Sequence, residues 1–490
     1  MGTVRILIAG SEMVPLVKSG GLGDVLGALP EALAKLGHEV IVCLPHYKVD
    51  SNKAISKKAL GIEAEIKIGD RPMSYSAVEA KLPDQSVRTI LITNDELFGR
   101  RGLYVDPQTG KDFKDNDVRF SFFCRAIIDL VQKMNWRPDI VHVHDWQTSL
   151  APVYLKTQEK DNSLFDGTKI VLTIHNMAYQ GKFPKDRYHL LGLPEELLYA
   201  TAPMEFFGET NFLKGGISFA DKITTVSETY AREIQGAMGC GLEGVLRNRV
   251  KDISGILNGV DYSVWSPATD KKIWARYKIT NLSGKKINKL KLLKEAGLPF
   301  SDKVPLVGMV SRLVEQKGLN LVIESAVKVF EENVRLLVLG TGGQKIEKEL
   351  KKLERKFPDK VKVFLYFDDV LAHKIEAGSD LYLMPSLFEP CGLNQMYSLK
   401  YGTPPIVHAV GGLADTVTDY DEKSGSGTGL VFKKFTAEAM IEALKRALSL
   451  YAKKREWTKL MKNGMKQDFS WKRSAQKYSD LFEALGHGRN

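Results

Sequence analysis

Cysteine is scarce: four residues in 490, at positions 43, 124, 240 and 391, with no C-x-x-C pair among them. That spacing excludes a disulfide-framed scaffold and a zinc knuckle, and it fits the reduced state of a cytoplasmic protein. No uninterrupted apolar run approaches the length of a membrane span, so no membrane partner is expected. After Met1, Gly2 and Thr3 the sequence enters V-R-I-L-I-A with no stretch of secretory or transit composition, and the expected location is cytoplasmic. Repeats of solenoid period are missing, and the only low-complexity stretch is the short S-G-S-G-T-G from Ser424 to Gly429.

What is present is globular. The chain is 43% hydrophobic and 26% charged, and its length suits two or three domains. The net charge of +11 would attract anions, but no nucleic-acid signature accompanies it, so no nucleic-acid partner is expected. The densest basic run, Lys271 to Lys294, alternates with apolar residues at helical spacing and reads as the solvated face of helices.

The N-terminal half opens with a strand at Val4–Ala9 and a glycine-rich loop. A helix follows at Asp24–Leu36, with Val25, Leu26, Leu29, Leu33 and Leu36 on one face and Gly37 as its stop, and then a strand at Glu39–Leu44. This is a βαβ unit, the seed of a parallel sheet. Further buried-type strands read at Arg88–Ile92, Asp139–Val143, Lys169–Ile174, Lys222–Val226 and Ile253–Leu257, with a small hairpin from Ile62 to Ala80. The strand rhythm stops between Asn258 and Val304. It restarts at Pro305–Ser311, Val334–Leu339, Val361–Leu365, Asp380–Met384, Pro405–His408 and Gly429–Phe432. Two doubly wound α/β domains are expected, joined near residue 260, and Ser470 to Leu485 reads as an amphipathic helix with Ser470 as its cap.

Nearly every chemistry-bearing motif follows a strand, where ligands of such folds bind. K-S-G-G-L-G-D, Lys18 to Asp24, could bring backbone amides to a phosphate; it is not G-x-G-x-x-G, and by itself a tight strand-to-helix turn explains it better. H-V-H-D-W, His142 to Trp146, reads as a structural His142 and a cleft-facing Asp145, with no third ligand to make a metal site. His175 stands at the end of the neighbouring strand, either packed or functional. Arg312 and Lys317 in V-S-R-L-V-E-Q-K-G bracket a loop and suit two adjacent phosphates. L-G-T-G-G, Leu339 to Gly343, is a further glycine turn, and V-G-G-L-A-D-T-V, Val410 to Val417, offers a second helix start to a ligand. P-S-L-F-E-P-C-G-L-N-Q, Pro385 to Gln395, sets Glu389 on a proline-stiffened turn before a helix running from about Gly392 to Gly402. Such a turn can hold an anion on amides while the acid grips a hydroxyl. Asp419 to Asp421, D-Y-D, reads as solvated surface.

In combination, K-S-G-G-L-G-D-V, H-V-H-D-W, H-N-M-A-Y-Q-G, L-N-G-V-D (Leu257 to Asp261), S-R-L-V-E-Q-K-G, P-S-L-F-E-P-C-G-L and G-G-L-A-D-T-V resemble the bacterial glycogen synthase and plant starch synthase family, over nearly the whole chain. The resemblance implies a retaining glucosyltransferase of the α/β GT-B fold, with two Rossmann-like domains facing a cleft. Residues 1–260 would be the acceptor side and 261–469 the nucleotide-sugar side, while 470–490 would return to the first domain. It implies ADP-glucose as donor, an α-1,4-glucan as acceptor, and neither cofactor nor metal.

Carried over by position, Arg312 and Lys317 would hold the diphosphate, joined by the Gly21 amide with Gly20 on the same donor side, and Lys18 is similar to the donor-motif lysine. Glu389 would bind donor hydroxyls, assisted by the Cys391, Gly392 and Leu393 amides. Asp145 and His175 would stand at the reacting sugar, with the His175 carbonyl facing the anomeric carbon. Asn258 and Gly342 belong to the donor side; Asp24, Asn176 and Tyr179 belong to the acceptor side. Departures from the family are Ser19 for Thr, Phe367 where a Tyr often stacks on adenine, Asn394 for Thr, Gln147 for His and Glu228 for Pro. Tyr397 stands where related transferases carry a second Glu. A UDP-glucose-preferring enzyme, another GT-B transferase or epimerase, and a silent glycogen-binding protein are the competing readings. The silent reading is disfavoured because Arg312, Lys317 and Glu389 are all present.

Overall fold

The computed structural model describes residues 2–48, 55–83 and 85–486. The chain forms two compact units. The first holds Met1–Val226, Ala231–Gly259 and Trp471–Asn490; the second holds Ser227–Tyr230 and Val260–Ser470.

The first unit is built on a nine-stranded sheet. Its strands are β1 (Arg5–Ala9), β2 (Glu39–Pro45), β3 (Ser56–Ile68), β4 (Arg71–Lys81), β5 (Arg88–Thr93), β6 (Ile140–His144) and β7 (Lys169–Ile174), then β11 (Lys222–Thr225) and β12 (Ile253–Gly255). Between β7 and β11 lie three short strands, β8 (Lys182–Pro184), β9 (Glu205–Phe206) and β10 (Glu209–Asn211), which form a separate small sheet. The large sheet runs β12-β11-β7-β6-β1-β2-β5-β4-β3. Its parallel strands are nearly continuous apolar runs because both faces are covered. The hairpin expected at 62–80 is larger than its sequence pattern suggests. β3 and β4 pair antiparallel from Ser56 to Lys81, and β4 continues the sheet from β5. The exposed, lysine- and glutamate-studded β3 is the edge, and charge there blunts pairing with other chains.

The first helix, Gly21–Ala34, begins three residues earlier than its apolar face indicates. Leu22, Val25, Leu26, Leu29 and Leu33 are buried in one cluster with Trp471, Ala475, Tyr478 and Phe482 of the last helix, Trp471–Gly486. That spacing, every three or four residues, is one helical stripe. The join near Leu257 is tight: a Cβ on Gly259 would lie 2.5 Å from the Trp471 Cα, and the Ser474 hydroxyl donates to the Leu257 carbonyl at 2.6 Å. Only glycine fits there.

The second unit holds six parallel strands: β13 (Leu306–Val310), β14 (Arg335–Leu339), β15 (Val361–Phe364), β16 (Leu381–Met384), β17 (Pro405–His408) and β18 (Leu430–Phe432). Their order, β15-β14-β13-β16-β17-β18, is that of a doubly wound nucleotide-binding sheet. Val307, Met309, Leu336, Val338 and Leu383 face one apolar cluster, while Leu306, Leu337, Leu339, Tyr382 and Met384 face the other. This two-sided alternation puts helices on both faces.

The lysine-rich run from 271 to 294 is a solvated face only in part: Lys271, Lys278, Lys286, Lys291 and Lys294 are exposed. Its only helix is Ser283–Ala296, and two of its lysines are buried. Lys285 Nζ donates to the Ala377 and Tyr401 carbonyls (3.2 Å each) and to Thr403 Oγ1 (2.6 Å); Lys289 pairs with Asp380 at 2.6 Å. Acceptors from distant segments keep these cations inside, and sequence spacing carries no sign of them. Burial pushes the Lys285 ammonium down to about 7.

Candidate functional site

In the first unit the motifs gather at the carboxyl ends of β1, β6 and β7. Glu12, which sequence reasoning passed over, is buried and organises the loop after β1. Its carboxylate accepts from Ser19 N and Ser19 Oγ (2.5 Å each), from Gly20 N (3.0 Å) and from the Tyr104 hydroxyl (2.7 Å). The Gly20 amide is therefore engaged by the protein. Lys18 Nζ reaches forward to Asp24 Oδ1 at 2.7 Å, tying the loop to the first turn of the helix.

Asp145 follows β6 directly and stands in the left-handed region, φ 57°. A non-glycine residue there carries strain of order 1 kcal/mol, a feature that clusters at functional sites. Its Oδ1 accepts from His175 N at 2.7 Å, so the ends of β6 and β7 are clasped together. Desolvation lifts the Asp145 carboxyl to about 7, against the lowering effect of the His175 and Asn176 amides.

His142, His144 and His175 form a ladder. His142 Nε2 meets Thr173 Oγ1 at 2.6 Å, and its ring packs on Tyr478 and Phe482, a structural role. His144 Nδ1 lies 2.9 Å from His175 Nε2, with the rings stacked. Burial holds His142 and His175 at about 3 and His144 well below its usual range, so all three are neutral near pH 7. Asn176 Oδ1 caps the following turn through Ala178 N at 3.0 Å, Tyr179 is exposed, and Asn258 is buried beside Gly259.

In the second unit two motifs interlock at the ends of β13 and β16. Leu387 N donates to the Gln316 carbonyl (2.8 Å), and Gln316 Nε2 donates to the Phe388 carbonyl (3.1 Å). Gly318, at φ 69°, lies so close to Pro385 that a Cβ would sit 1.9 Å from its carbonyl oxygen. Between these ties, Lys317 Nζ meets Glu389 Oε2 at 2.5 Å, with side-chain exposures of 17% and 8%; Ser386 Oγ donates to the same oxygen at 3.0 Å. Arg312 is exposed, and it forms no ion pair among the described residues.

The loop after Glu389 is fixed from three sides. Gly412 N donates to the Glu389 carbonyl (3.0 Å) and Ser227 Oγ to the Pro390 carbonyl (2.6 Å). Gln395 Nε2 grips the Cys391 and Gly392 carbonyls at 3.0 Å each. Gly392 is left-handed, φ 70°, and the helix it precedes spans Asn394–Lys400, shorter at both ends than expected. The Gly411–Gly412 pair does not offer a free helix start: Gly412 N is spent on this loop, and a Cβ on either glycine would lie 2.0 Å from a loop carbonyl. The Gly342 amide is likewise spent, on Glu347 Oε1 at 2.8 Å. Phe367 is 87% exposed, a bare ring between β15 and the next helix. Asp421 is exposed and Asp419 pairs with Arg446 at 2.9 Å.

The same division is visible in comparisons with known proteins. Residues 5–248 match the starch synthase catalytic domain, and residues 293–464 match glycosyl transferases group 1. Glycogen synthase 2 of Geobacter sulfurreducens is 43% identical over 487 residues, covering 99% of this chain and 100% of the relative. The glycogen synthase of Koribacter versatilis is 45% identical over 481 residues, 98% of each. Among solved structures, the catalytic domain of starch synthase IV from Arabidopsis thaliana bound to ADP and acarbose superposes with a TM-score of 0.90 at 33% identity, covering 99% of this chain and 100% of that one. Sucrose-phosphate synthase from Thermosynechococcus elongatus, at 18% identity and a TM-score of 0.61, shares the fold.

Proposed function

Because this chain belongs to the glycogen and starch synthase family of glycosyltransferases, we propose that it transfers glucose from ADP-glucose to the non-reducing 4-hydroxyl of an α-1,4-glucan, with retention at the anomeric carbon. The observation that carries the reading is the second-unit constellation. A free Arg312 cation, a Lys317–Glu389 pair and a tethered loop of amides stand together at the ends of β13 and β16. A nucleoside diphosphate joined to a sugar needs those three elements together: cations for the phosphates, and a carboxylate with nearby amides for the sugar hydroxyls; the exposed Phe367 ring, after β15, adds an apolar face for the base.

Breaking the donor's glycosidic bond builds negative charge on the leaving diphosphate. Arg312 and Lys317 stabilise that charge in the transition state. Two carboxylates spaced for glycosidase chemistry form no part of the scheme. Asp145 clasps the His175 amide, and this orients the His175 carbonyl toward the reacting sugar. We therefore assign a same-face attack in which the departing phosphate takes the acceptor's proton. His175 is neutral at working pH, which suits a group that positions and donates hydrogen bonds without adding a charge. Gly21 and Lys18 extend the diphosphate contacts; Asp24, Asn176 and Tyr179 serve the acceptor; Asn258 contacts the sugar. The reaction proceeds without cofactor or metal ion. The site of action is the cytoplasm, a reading supported by four free cysteines.

The test is incorporation of labelled glucose into glycogen from ADP-glucose and from UDP-glucose side by side, with and without chelator. We expect ADP-glucose to be preferred and chelator to leave the rate unchanged. Preference for UDP-glucose, or abolition by chelator, contradicts the donor or the metal-free assignment respectively.

A further inference from the structure

The two central strands of the second unit part at their carboxyl ends. β13 and β16 are in register only at Val307 with Leu381 and Gly308 with Tyr382. Strand order reverses its direction of growth between them, and in open parallel sheets ligands bind outside the strand ends at that point. Val310 lies two residues beyond the last registered pair and two before Arg312, so its backbone has no strand to bond on that side. Backbone donors and acceptors withdrawn from water need partners.

Side chains supply them. Val310 N donates to the Tyr382 hydroxyl at 3.0 Å, and that hydroxyl donates back to the Val310 carbonyl at 3.1 Å. Asn394 Nδ2 donates to the Val310 carbonyl and to the Tyr382 hydroxyl, at 2.7 Å each. The arrangement closes: the hydroxyl accepts two bonds and gives one, and both amide protons of Asn394 are used. The next residue, Gln395, holds the Cys391 and Gly392 carbonyls. The start of one helix thus fastens the sugar-side loop through Gln395 and the Arg312 strand through Asn394.

We propose that Asn394 is a positioning residue, which sets the separation between Arg312 and the Glu389–Leu393 loop so that one donor molecule engages both. The proposal rests on the donor reading above. A Thr at this position would have a single hydroxyl proton and could not donate to both partners. The amide makes this chain's knot complete, with Tyr382 as its second member.

The test compares Asn394→Asp, which keeps size and removes both donors, Asn394→Thr, and Tyr382→Phe, each with the double variant Asn394→Asp/Tyr382→Phe. Melting temperature, ADP affinity, and kcat and KM for ADP-glucose are measured on the whole protein. We expect kcat/KM for ADP-glucose to fall about tenfold or more in Asn394→Asp, which loses both hydrogen bonds. ADP affinity should be unchanged, because ADP lacks the sugar that must span the two sides. Asn394→Thr should lie between Asn394→Asp and the parent chain, and the double variant should be no worse than the poorer single. Equal loss of ADP and ADP-glucose binding, in step with melting temperature, would show a merely structural knot and overturn the proposal. So would Asn394→Asp at parental kcat/KM. Should the parent chain itself fail to use ADP-glucose, the donor reading falls and takes this proposal with it, an outcome distinct from a failure confined to the variants.

Discussion

Replacing Glu389 by Gln separates a donor-binding acid from a structural ion pair. The carboxylate meets Lys317 at 2.5 Å, and the two side chains are only 8% and 17% exposed. Removing one member of a buried pair costs about 3–5 kcal/mol when the other charge is left without compensation. Gln retains an oxygen for the Lys317 ammonium, and Lys317 keeps some access to water, so a stability loss of about 1–3 kcal/mol is the reasoned figure. For a unit of this size each kcal/mol shifts Tm by roughly 2–4 °C. Catalysis loses a charge-assisted hydrogen bond to a donor hydroxyl, about 1.5–3 kcal/mol, or roughly 10- to 150-fold in kcat/KM. The assay pairs differential scanning fluorimetry with initial rates of glucan elongation. The added variant Glu389→Gln/Lys317→Met removes the orphaned charge: it should recover part of the lost Tm and recover none of the rate. Near-parental turnover in Glu389→Gln alongside a lowered Tm would refute the donor role and leave only an ion pair.

The remaining expectations concern other parts of the chain. Gly318→Ala puts a Cβ on the Pro385 carbonyl at a left-handed φ, so it should cost more than about 1 kcal/mol and weaken donor use more than acceptor use; unchanged donor kinetics would contradict the interlocking of the two motifs. His142, His144 and His175 bind protons in the unfolded chain below about pH 6.5 but resist them when folded, so their stability contribution is complete above that pH and lost as pH falls toward 3. Urea midpoints between pH 8 and 5 should fall for the parent and fall less for His175→Asn. Asp145 has the opposite sign: with its folded value raised to about 7, its contribution is complete below about pH 4 and is lost as pH rises from there through 7. Asp145→Asn should therefore raise the midpoint most at pH 8, less at pH 5, and leave it nearly unchanged at about pH 4. Lys285 should titrate near 7 by lysine Nζ chemical shift, and an ordinary value above 10 would contradict its burial.

Strand positions were readable because parallel strands covered on both faces are short apolar runs bounded by glycine and polar turns. β13, β14, β16 and β17 are of that kind. The helix Gly21–Ala34 was readable from its stripe, but its first turn, Gly21 to Gly23, carries little side-chain signal. Residues whose partners are distant were not legible. Glu12 looks like one acid in a loop until Ser19, Gly20 and Tyr104 fold onto it, and Lys285 looks solvated until Ala377, Tyr401 and Thr403 surround it. The second helix start at Gly411 failed as an expectation for a related reason. A glycine pair before a helix looks the same whether its amides face a ligand or, as here, a neighbouring loop. Motif glycines could be recognised at 259, 318 and 411, whereas the atoms that exclude a Cβ there come from segments far along the chain.

The most direct measurement elongates glycogen with ADP-[14C]glucose and digests the washed product with β-amylase, which removes maltose units from non-reducing ends of α-1,4-linked chains. We expect the label to be released as maltose by the parent chain, and incorporation to fall roughly 10- to 150-fold in Glu389→Gln. Label that stays in the limit dextrin, or appears as free glucose in place of polymer, would contradict retaining transfer to the non-reducing 4-hydroxyl.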